Sequence, residues 1–118
     1  MRKGNVVVEK SKAFALRTIK AYQYLVTEKK EYVLSKQMLR SGTSIGANVK
    51  EAIRAQSKPD FIAKMSIALK EASETEYWID LLGGSGYLSA GVAGSLNTDC
   101  SEMIKILTSI IKSAKERA

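Results

Sequence analysis

The amino-acid sequence predicts an all-α protein, folded as an antiparallel up-down-up-down four-helix bundle. Apolar residues recur with helical spacing through most of the 118 residues, and polar, glycine- or proline-containing stretches divide them into four segments. Connections of only a few residues make successive helices antiparallel. The length fits one domain, which we place at residues 1–118.

The first predicted helix covers about residues 6–30. Its apolar residues share one side over about 140°, the width of a core-facing stripe. The stripe consists of Val8, Ala15, Ile19, Tyr22 and Val26, with Phe14 and Leu25 beside them. Lys10, Arg17 and Lys20 lie on the opposite side, together with Lys3. The segment is therefore predicted to have a basic outer face.

The second predicted helix covers about residues 31–56 and carries two apolar seams. The first has heptad spacing and consists of Leu34, Met38, Ser41, Ile45, Asn48, Ala52 and Ala55. The second runs beside it and consists of Leu39, Gly42, Gly46, Val49 and Ile53. A helix covered so widely needs more than one neighbour, so we expect the second seam to contact another subunit. The two glycines indicate either close approach of a neighbour or a helix break near residues 41–46.

The third and fourth predicted helices have clear boundaries. Ser57 is placed at the N-cap of the third helix, with Pro59 in its first turn. The run Gly83-Gly84-Ser85-Gly86 ends that helix, and the fourth begins around Ser89–Val92 and continues to the C-terminus. The core seam of the third helix runs from Phe61 through Met65, Ala68, Ala72, Thr75 and Ile79 to Leu82. That of the fourth consists of Leu96, Cys100, Met103, Leu107, Ile110 and Ala114.

Five polar residues lie on or beside these apolar seams and form a predicted structural polar core. They are Arg40, Ser41, Ser44, Asn48 and Glu76. Because a buried charge requires a partner, we predict that Arg40 pairs with Glu76, and that Ser44 or Asn48 completes the hydrogen bonds. A role in fixing bundle register is favoured, and a functional pocket is the alternative.

The net charge of +7 is concentrated in one half of the chain. Residues 1–59 hold 13 Lys/Arg and 4 Asp/Glu, whereas residues 60–118 hold 6 and 8. A basic surface of this kind favours RNA or DNA as partner, with a solvated lysine-rich surface as the alternative. The candidate nucleic-acid-binding residues are Lys10, Arg17, Lys20, Lys36, Lys50 and Arg54.

The composition excludes several chemistries. Histidine is absent and Cys100 is the single cysteine. These counts exclude a Ser-His-Asp or Cys-His site, a CxxC zinc site and an intrachain disulfide. We predict no catalytic residue, no metal site and no cofactor, and hence no enzyme. The sequence also has neither a signal peptide nor a stretch long enough to span a membrane, which predicts a cytoplasmic protein with no membrane partner.

A longer motif in the second helix carries a family resemblance. The run Leu39-Arg40-Ser41-Gly42-Thr43-Ser44-Ile45-Gly46-Ala47-Asn48-Val49-Lys50-Glu51-Ala52 resembles the signature of the 23S rRNA intervening-sequence protein family. That signature reads Leu-Arg-x-x-x-Ser-Ile-x-Ala-Asn-Ile-x-Glu-Ala. Further matches are Ser57-Lys58-x-Asp60-Phe61, Glu74-Thr75-Glu76 and Gly86-Tyr87-Leu88. The loop Gly83-Gly84-Ser85-Gly86 departs from the charged or bulky residue usual there.

The resemblance implies a four-helix bundle that assembles as a homopentamer. It also implies a bacterial protein, related to an accessory variability protein that binds nucleic acid and a reverse transcriptase. The sequence therefore predicts one of two alternative functions. One is an oligomeric accessory protein that binds RNA or DNA. The other is a protein-interaction or structural module, with a reverse transcriptase or another protein as partner, whose basic charge is incidental.

Overall fold

The computed structural model describes residues 2–117, with side chains from Val6 onward, and confirms the four-helix bundle. Helix α1 spans Arg2–Thr27, α2 spans Leu34–Ile53, α3 spans Lys58–Gly84 and α4 spans Ala90–Glu116. Consecutive helices run antiparallel and pack side by side in an elongated body of 50 × 20 × 20 Å. The closest packing joins α2 to α3, followed by α3 to α4 and α1 to α2, whereas α1 meets α4 least extensively.

The core is a continuous apolar cluster to which all four helices contribute. Its largest fully buried side chains are Val7, Phe14, Leu25, Met38, Ile45, Val49, Met65, Ile79, Leu82, Leu96, Met103 and Leu107. The predicted seams of α2, α3 and α4 supply most of these residues. None of the described helices is both long enough and apolar enough to cross a bilayer.

The core stripe of α1 lies about one residue away from its predicted position. The buried residues are Val7, Ser11, Phe14, Thr18 and Leu25, whereas the predicted core residue Ile19 is 37% exposed. The other predicted stripe residues, Val8, Ala15, Tyr22 and Val26, are half-buried. Apolar periodicity missed this register because two of the core positions hold hydroxyl side chains.

Those two hydroxyl residues pack against the glycines of α2. A Cβ at Gly42 would lie 2.7 Å from Thr18 Cγ2, and one at Gly46 would lie 3.3 Å from Ser11 Oγ. Each hydroxyl group donates within α1, Ser11 to the Val8 carbonyl at 3.1 Å and Thr18 to the Ala15 carbonyl at 2.8 Å. The predicted close approach is therefore confirmed, the neighbour is α1, and α2 continues without a break.

Side chains cap the starts of the last three helices. Ser57 accepts a hydrogen bond from the Asp60 backbone N–H at 3.2 Å, as predicted for the N-cap of α3, and Ser89 accepts from Val92 at the start of α4. Helix α2 is capped from further upstream. The buried carboxylate of Glu31 accepts from the backbone N–H groups of Val33, Leu34 and Ser35 at 3.1, 2.9 and 2.7 Å.

Candidate nucleic-acid interface

Three cations form an exposed line along the solvent side of α2. Lys36, Lys50 and Arg54 are all exposed, and none has a carboxylate within salt-bridge distance among the described residues. Lys36 and Arg54 are five helical turns apart and lie on the same line, about 27 Å apart along the axis. This line is opposite the buried seam of α2, so the cations point into solvent because the helix buries its other side. We refer to these three residues as the α2 cation line.

Two of the predicted cations of α1 lie elsewhere and are already paired. Lys10 Nζ is 3.1 Å from Glu102 Oε2, and Arg17 Nη1 is 2.8 Å from Asp99 Oδ2. Arg17 also donates to the Ser95 carbonyl at 3.3 Å. The corrected register of α1 turns Lys10 and Arg17 toward α4, where they are paired but still partly exposed, so their contribution to nucleic-acid binding stays a prediction. Lys20 is exposed and has no carboxylate partner among the described residues.

The predicted pairing of Arg40 with Glu76 is wrong. Arg40 instead bridges from α2 to two other carboxylates of α3, Glu71 at 3.4 Å and Glu74. Glu76 lies on the flank of α3 that faces α4, where it accepts from Ser101 Oγ at 3.4 Å. Apolar spacing located the core stripe of α3 but could not say which of its two flanks faces α2.

The bridge that Arg40 forms lies at the surface. The Arg40 side chain is 50% exposed, which places it outside the predicted polar core. Glu74 also accepts from Trp78 Nε1 at 3.1 Å, so the arginine and the indole share one carboxylate. The arrangement fixes α2 against α3 and leaves Arg40 less available to an external anion than the α2 cation line.

The remaining residues of the predicted polar core satisfy their hydrogen bonds inside the bundle. Ser41 is fully buried and accepts from Thr75 Oγ1 at 2.7 Å, which joins α2 to α3. Ser44 and Asn48 are half-buried and donate to carbonyls of their own helix, those of Arg40 at 2.6 Å and Ser44 at 2.9 Å. These hydrogen bonds hold the side chains within the bundle and fit the favoured structural role.

The predicted subunit seam is divided between the inside and the outside of the chain. Gly42 is buried against α1 and Val49 is fully buried, so these two are not available to another subunit. The prediction is wrong for them because α1 is the neighbour that the wide apolar arc of α2 required. Gly46 also faces α1 but is half-buried, and its place at an interface stays a prediction. Leu39 is half-buried and Ile53 is 48% exposed.

Two buried titratable groups, Glu31 and Cys100, form hydrogen bonds with the backbone inside the fold. Burial tends to raise the pKa of the Glu31 carboxyl, but the backbone N–H groups of Leu34, Ser35 and Val33 outweigh it, so its pKa is lowered. Burial, with the carboxylates of Glu76 and Asp80, raises the pKa of the Cys100 thiol from 9.0 to about 12. That thiol donates to the Ala72 carbonyl at 3.2 Å. Neither group faces an open site.

Sequence reasoning missed a set of cations that the fold brings together. The α2–α3 turn contains an open cleft of about 430 Å³, lined on its basic side by Lys50, Arg54 and Lys64. The start of α3 and the end of α4 meet next to it, where Lys58 donates to the Arg117 carbonyl. These residues are distant in sequence, and those after residue 60 belong to the half with more acids than bases. The antiparallel topology is the signal that could have found them.

The comparisons with known proteins agree on one family. The model of the 23S rRNA-intervening sequence protein family matches residues 3–109. The fold is also similar to the crystal structure of a protein with unknown function from the S23 ribosomal protein family of Bacteroides thetaiotaomicron. The TM-score is 0.92 at 56% identity, over 93% of this chain and 98% of that one. No functionally curated protein shows significant similarity to the chain.

Proposed function

The chain belongs to the 23S rRNA-intervening sequence protein family, and on that premise we propose that it is a non-catalytic homo-oligomer that binds the phosphate backbone of RNA or DNA. The observation that carries the proposal is the α2 cation line, Lys36, Lys50 and Arg54, exposed and unneutralised among the described residues of a chain with net charge +7. Lys20 adds a further exposed cation.

This arrangement suits backbone recognition rather than reading of base sequence. Phosphate contacts need cations at accessible positions, whereas base reading needs side chains shaped to groove edges or aromatic platforms for unpaired bases. Residues 34–54, which include the whole α2 cation line, contain no aromatic residue. We therefore expect affinity that depends strongly on salt and weakly on sequence.

Self-association is supported by apolar side chains left exposed on α1 and α2. Leu16 is 57% exposed, Ile19 is 37% exposed and Ile53 is 48% exposed. The half-buried Leu39 lies on the same flank of α2 as Ile53. We propose that a second copy of the chain covers these residues and that assembly continues to the homopentamer implied by the family resemblance.

A mobility-shift or anisotropy titration with a structured RNA and a DNA duplex tests the binding. We expect binding at ~50 mM salt that weakens steeply toward ~200 mM salt. The double variant Lys50→Glu/Arg54→Glu should weaken it by at least tenfold. The matched control Lys70→Glu/Lys105→Glu makes the same charge change at exposed positions away from this surface and should have a much smaller effect. Absence of binding by the unchanged protein at low salt would overturn the proposal.

Light scattering coupled to size-exclusion chromatography tests the assembly. The double variant Leu16→Glu/Ile19→Glu should shift the mass toward the monomer while circular dichroism still reports a helical fold. A monomeric mass for the unchanged protein would contradict the oligomer.

The exposed apolar residues also favour a second function, a protein-interaction or structural module. In that case the oligomer forms but no nucleic acid binds at low salt, and the acidic variants of Lys50 and Arg54 behave like their control. The binding titration therefore distinguishes the two functions, whereas the mass measurement does not, because both functions predict an oligomer.

A further inference from the structure

We propose that the nucleic-acid contact is centred on one end of the bundle, where α2 and α4 end and α3 begins. This inference rests on the proposed function and locates its site. We call this region the basic end. It includes Lys50 and Arg54 from the α2 cation line and adds cations of α3 and α4 that were not among the predicted binding residues.

The basic end gathers charge from two separate stretches of sequence. Residues 50–64 and 112–117 together hold seven Lys/Arg and three Asp/Glu. At the opposite end of the bundle, residues 20–36 and 80–97 hold four Lys/Arg and three Asp/Glu. The seven cations are Lys50, Arg54, Lys58, Lys64, Lys112, Lys115 and Arg117. The net positive charge is therefore concentrated at one end of the molecule.

Two carboxylates of the basic end form salt bridges with one of its own lysines. Lys64 Nζ lies 3.2 Å from Asp60 Oδ1 and 4.0 Å from Glu51 Oε1. Lys50, Arg54, Lys112, Lys115 and Arg117 are exposed, with no carboxylate in salt-bridge distance among the described residues. Lys58 donates to the Arg117 carbonyl, which joins the α3 and α4 parts of the cluster. Glu116 is the one acid of these stretches without such a partner in the described part of the chain.

The dimensions fit a polyanion that crosses this end. The bundle is 20 × 20 Å in cross-section. A nucleic-acid duplex carries one phosphate charge per ~1.7 Å of axis, counting both strands, so a length equal to that width carries ~12 phosphates, of which those on the near side can meet the cations. Contact at one end also leaves the long sides of the bundle free to pack against other copies. Parallel copies around a common axis would then place all their basic ends on one face.

A role in helix stability is the alternative explanation for the cations of the basic end. Lys50 and Lys115 lie in the last turns of α2 and α4, where cations stabilise the negative end of the helix dipole. That explanation predicts that their replacement lowers stability and leaves binding unchanged. A binding measurement on a folded variant therefore separates the two.

The test compares charge reversals at the two ends. Lys112→Glu/Lys115→Glu changes the basic end at residues outside the α2 cation line, and Lys29→Glu/Lys30→Glu makes the same change in charge at exposed positions of the opposite end that have no assigned binding role. Anisotropy with a fluorescent RNA duplex and a DNA duplex of ~20 base pairs is measured from ~50 to ~200 mM salt. Circular dichroism verifies the fold of each variant, and the neutral variant Lys112→Gln/Lys115→Gln replaces the acidic one if that fails to fold.

We expect the acidic basic-end variant to weaken binding by at least tenfold and to flatten the salt dependence by about one unit per lost contact. The opposite-end variant should change affinity less than threefold. Equal losses in the two variants, or full affinity in the basic-end variant, would overturn the location and leave the proposed function standing. No binding by the unchanged protein would overturn both.

Discussion

On the side of α1 that faces α2, small hydroxyl residues meet glycines, whereas on the side that faces α4 a lysine and an arginine reach across to carboxylates. Thr18 is fully buried beside Gly42. Arg17, its neighbour in sequence, keeps 38% of its side chain exposed while pairing with Asp99. One helix is therefore attached by close packing on one side and by surface ion pairs on the other.

The two attachments should respond differently to solution conditions. Close packing depends on shape, and salt has little influence on it. Exposed ion pairs are weak and are screened further as salt increases. The α1–α4 side is also the least extensive contact between neighbouring helices. We therefore expect α1 to separate first from α4 when the bundle loosens.

The largest expected effect comes from filling the space between α1 and α2. Gly42→Val should lower the free energy of unfolding by about 3 kcal/mol, because even a Cβ there lies 2.7 Å from Thr18 Cγ2. Urea unfolding followed by circular dichroism measures the loss. The additional change Thr18→Ala should recover part of it, and an unchanged midpoint for Gly42→Val would show that the contact is not tight.

Removal of the carboxylate that caps α2 should have the next largest effect. Glu31→Ala is expected to cost about 1–2 kcal/mol at neutral pH, since three backbone N–H groups lose their acceptor. The lowered pKa of Glu31 means that its contribution is complete above the ordinary value of 4.5 and is lost as pH falls through the folded-state value. Unfolding measured at neutral and acidic pH should show a smaller pH dependence in Glu31→Gln than in the unchanged protein.

A glycine outside the α1–α2 contact should show the opposite sign. A Cβ at Gly94 in α4 meets nothing within 4 Å. Gly94→Ala should therefore raise the free energy of unfolding by up to about 1 kcal/mol through helix propensity alone. The melting temperatures of Gly94→Ala and Gly42→Ala are compared. Both variants gain helix propensity, but the added Cβ clashes with Thr18 only in the Gly42 variant. Equal stabilisation by both would remove the distinction between the two sites.

The smallest expected effect concerns the ion pairs between α1 and α4. A double-mutant cycle with Arg17→Ala and Asp99→Ala should give a coupling of about 0.5 kcal/mol at low salt. The coupling should fall further at high salt. The cycle measured by urea unfolding at two salt concentrations checks this, and a large, salt-independent coupling would show that the α1–α4 side is not the weaker one.

The helices and most of the core were predictable because they depend on local patterns. Heptad spacing, the Ser57 cap and the Gly83–Gly86 run each act within one or two turns of the chain. The register of α1 was not predictable in the same way. Ser11 and Thr18 are buried because Gly42 and Gly46 lie opposite, and that pairing is visible only once the helices are packed.

In the candidate site, the sequence likewise predicted which charged residues are exposed but not which partners they have. The exposure of Lys36, Lys50 and Arg54 follows from their position opposite the seam of α2. The partners of Lys10, Arg17 and Arg40 depend on which flank of a neighbouring helix faces them, and hydrophobic spacing does not specify that flank. The basic end depends on topology as well, since its residues come from three helices.

The burial of Cys100 near the carboxylates of Glu76 and Asp80 has a practical consequence. Alkylating reagents attack the thiolate, and raising the thiol pKa from 9.0 to about 12 lowers the thiolate fraction at neutral pH about a thousandfold. Cys100 is the single cysteine, fully buried between α3 and α4. The rate at which Cys100 is alkylated in native buffer therefore reports transient opening of that helix pair. Mass spectrometry measures this rate without an engineered probe.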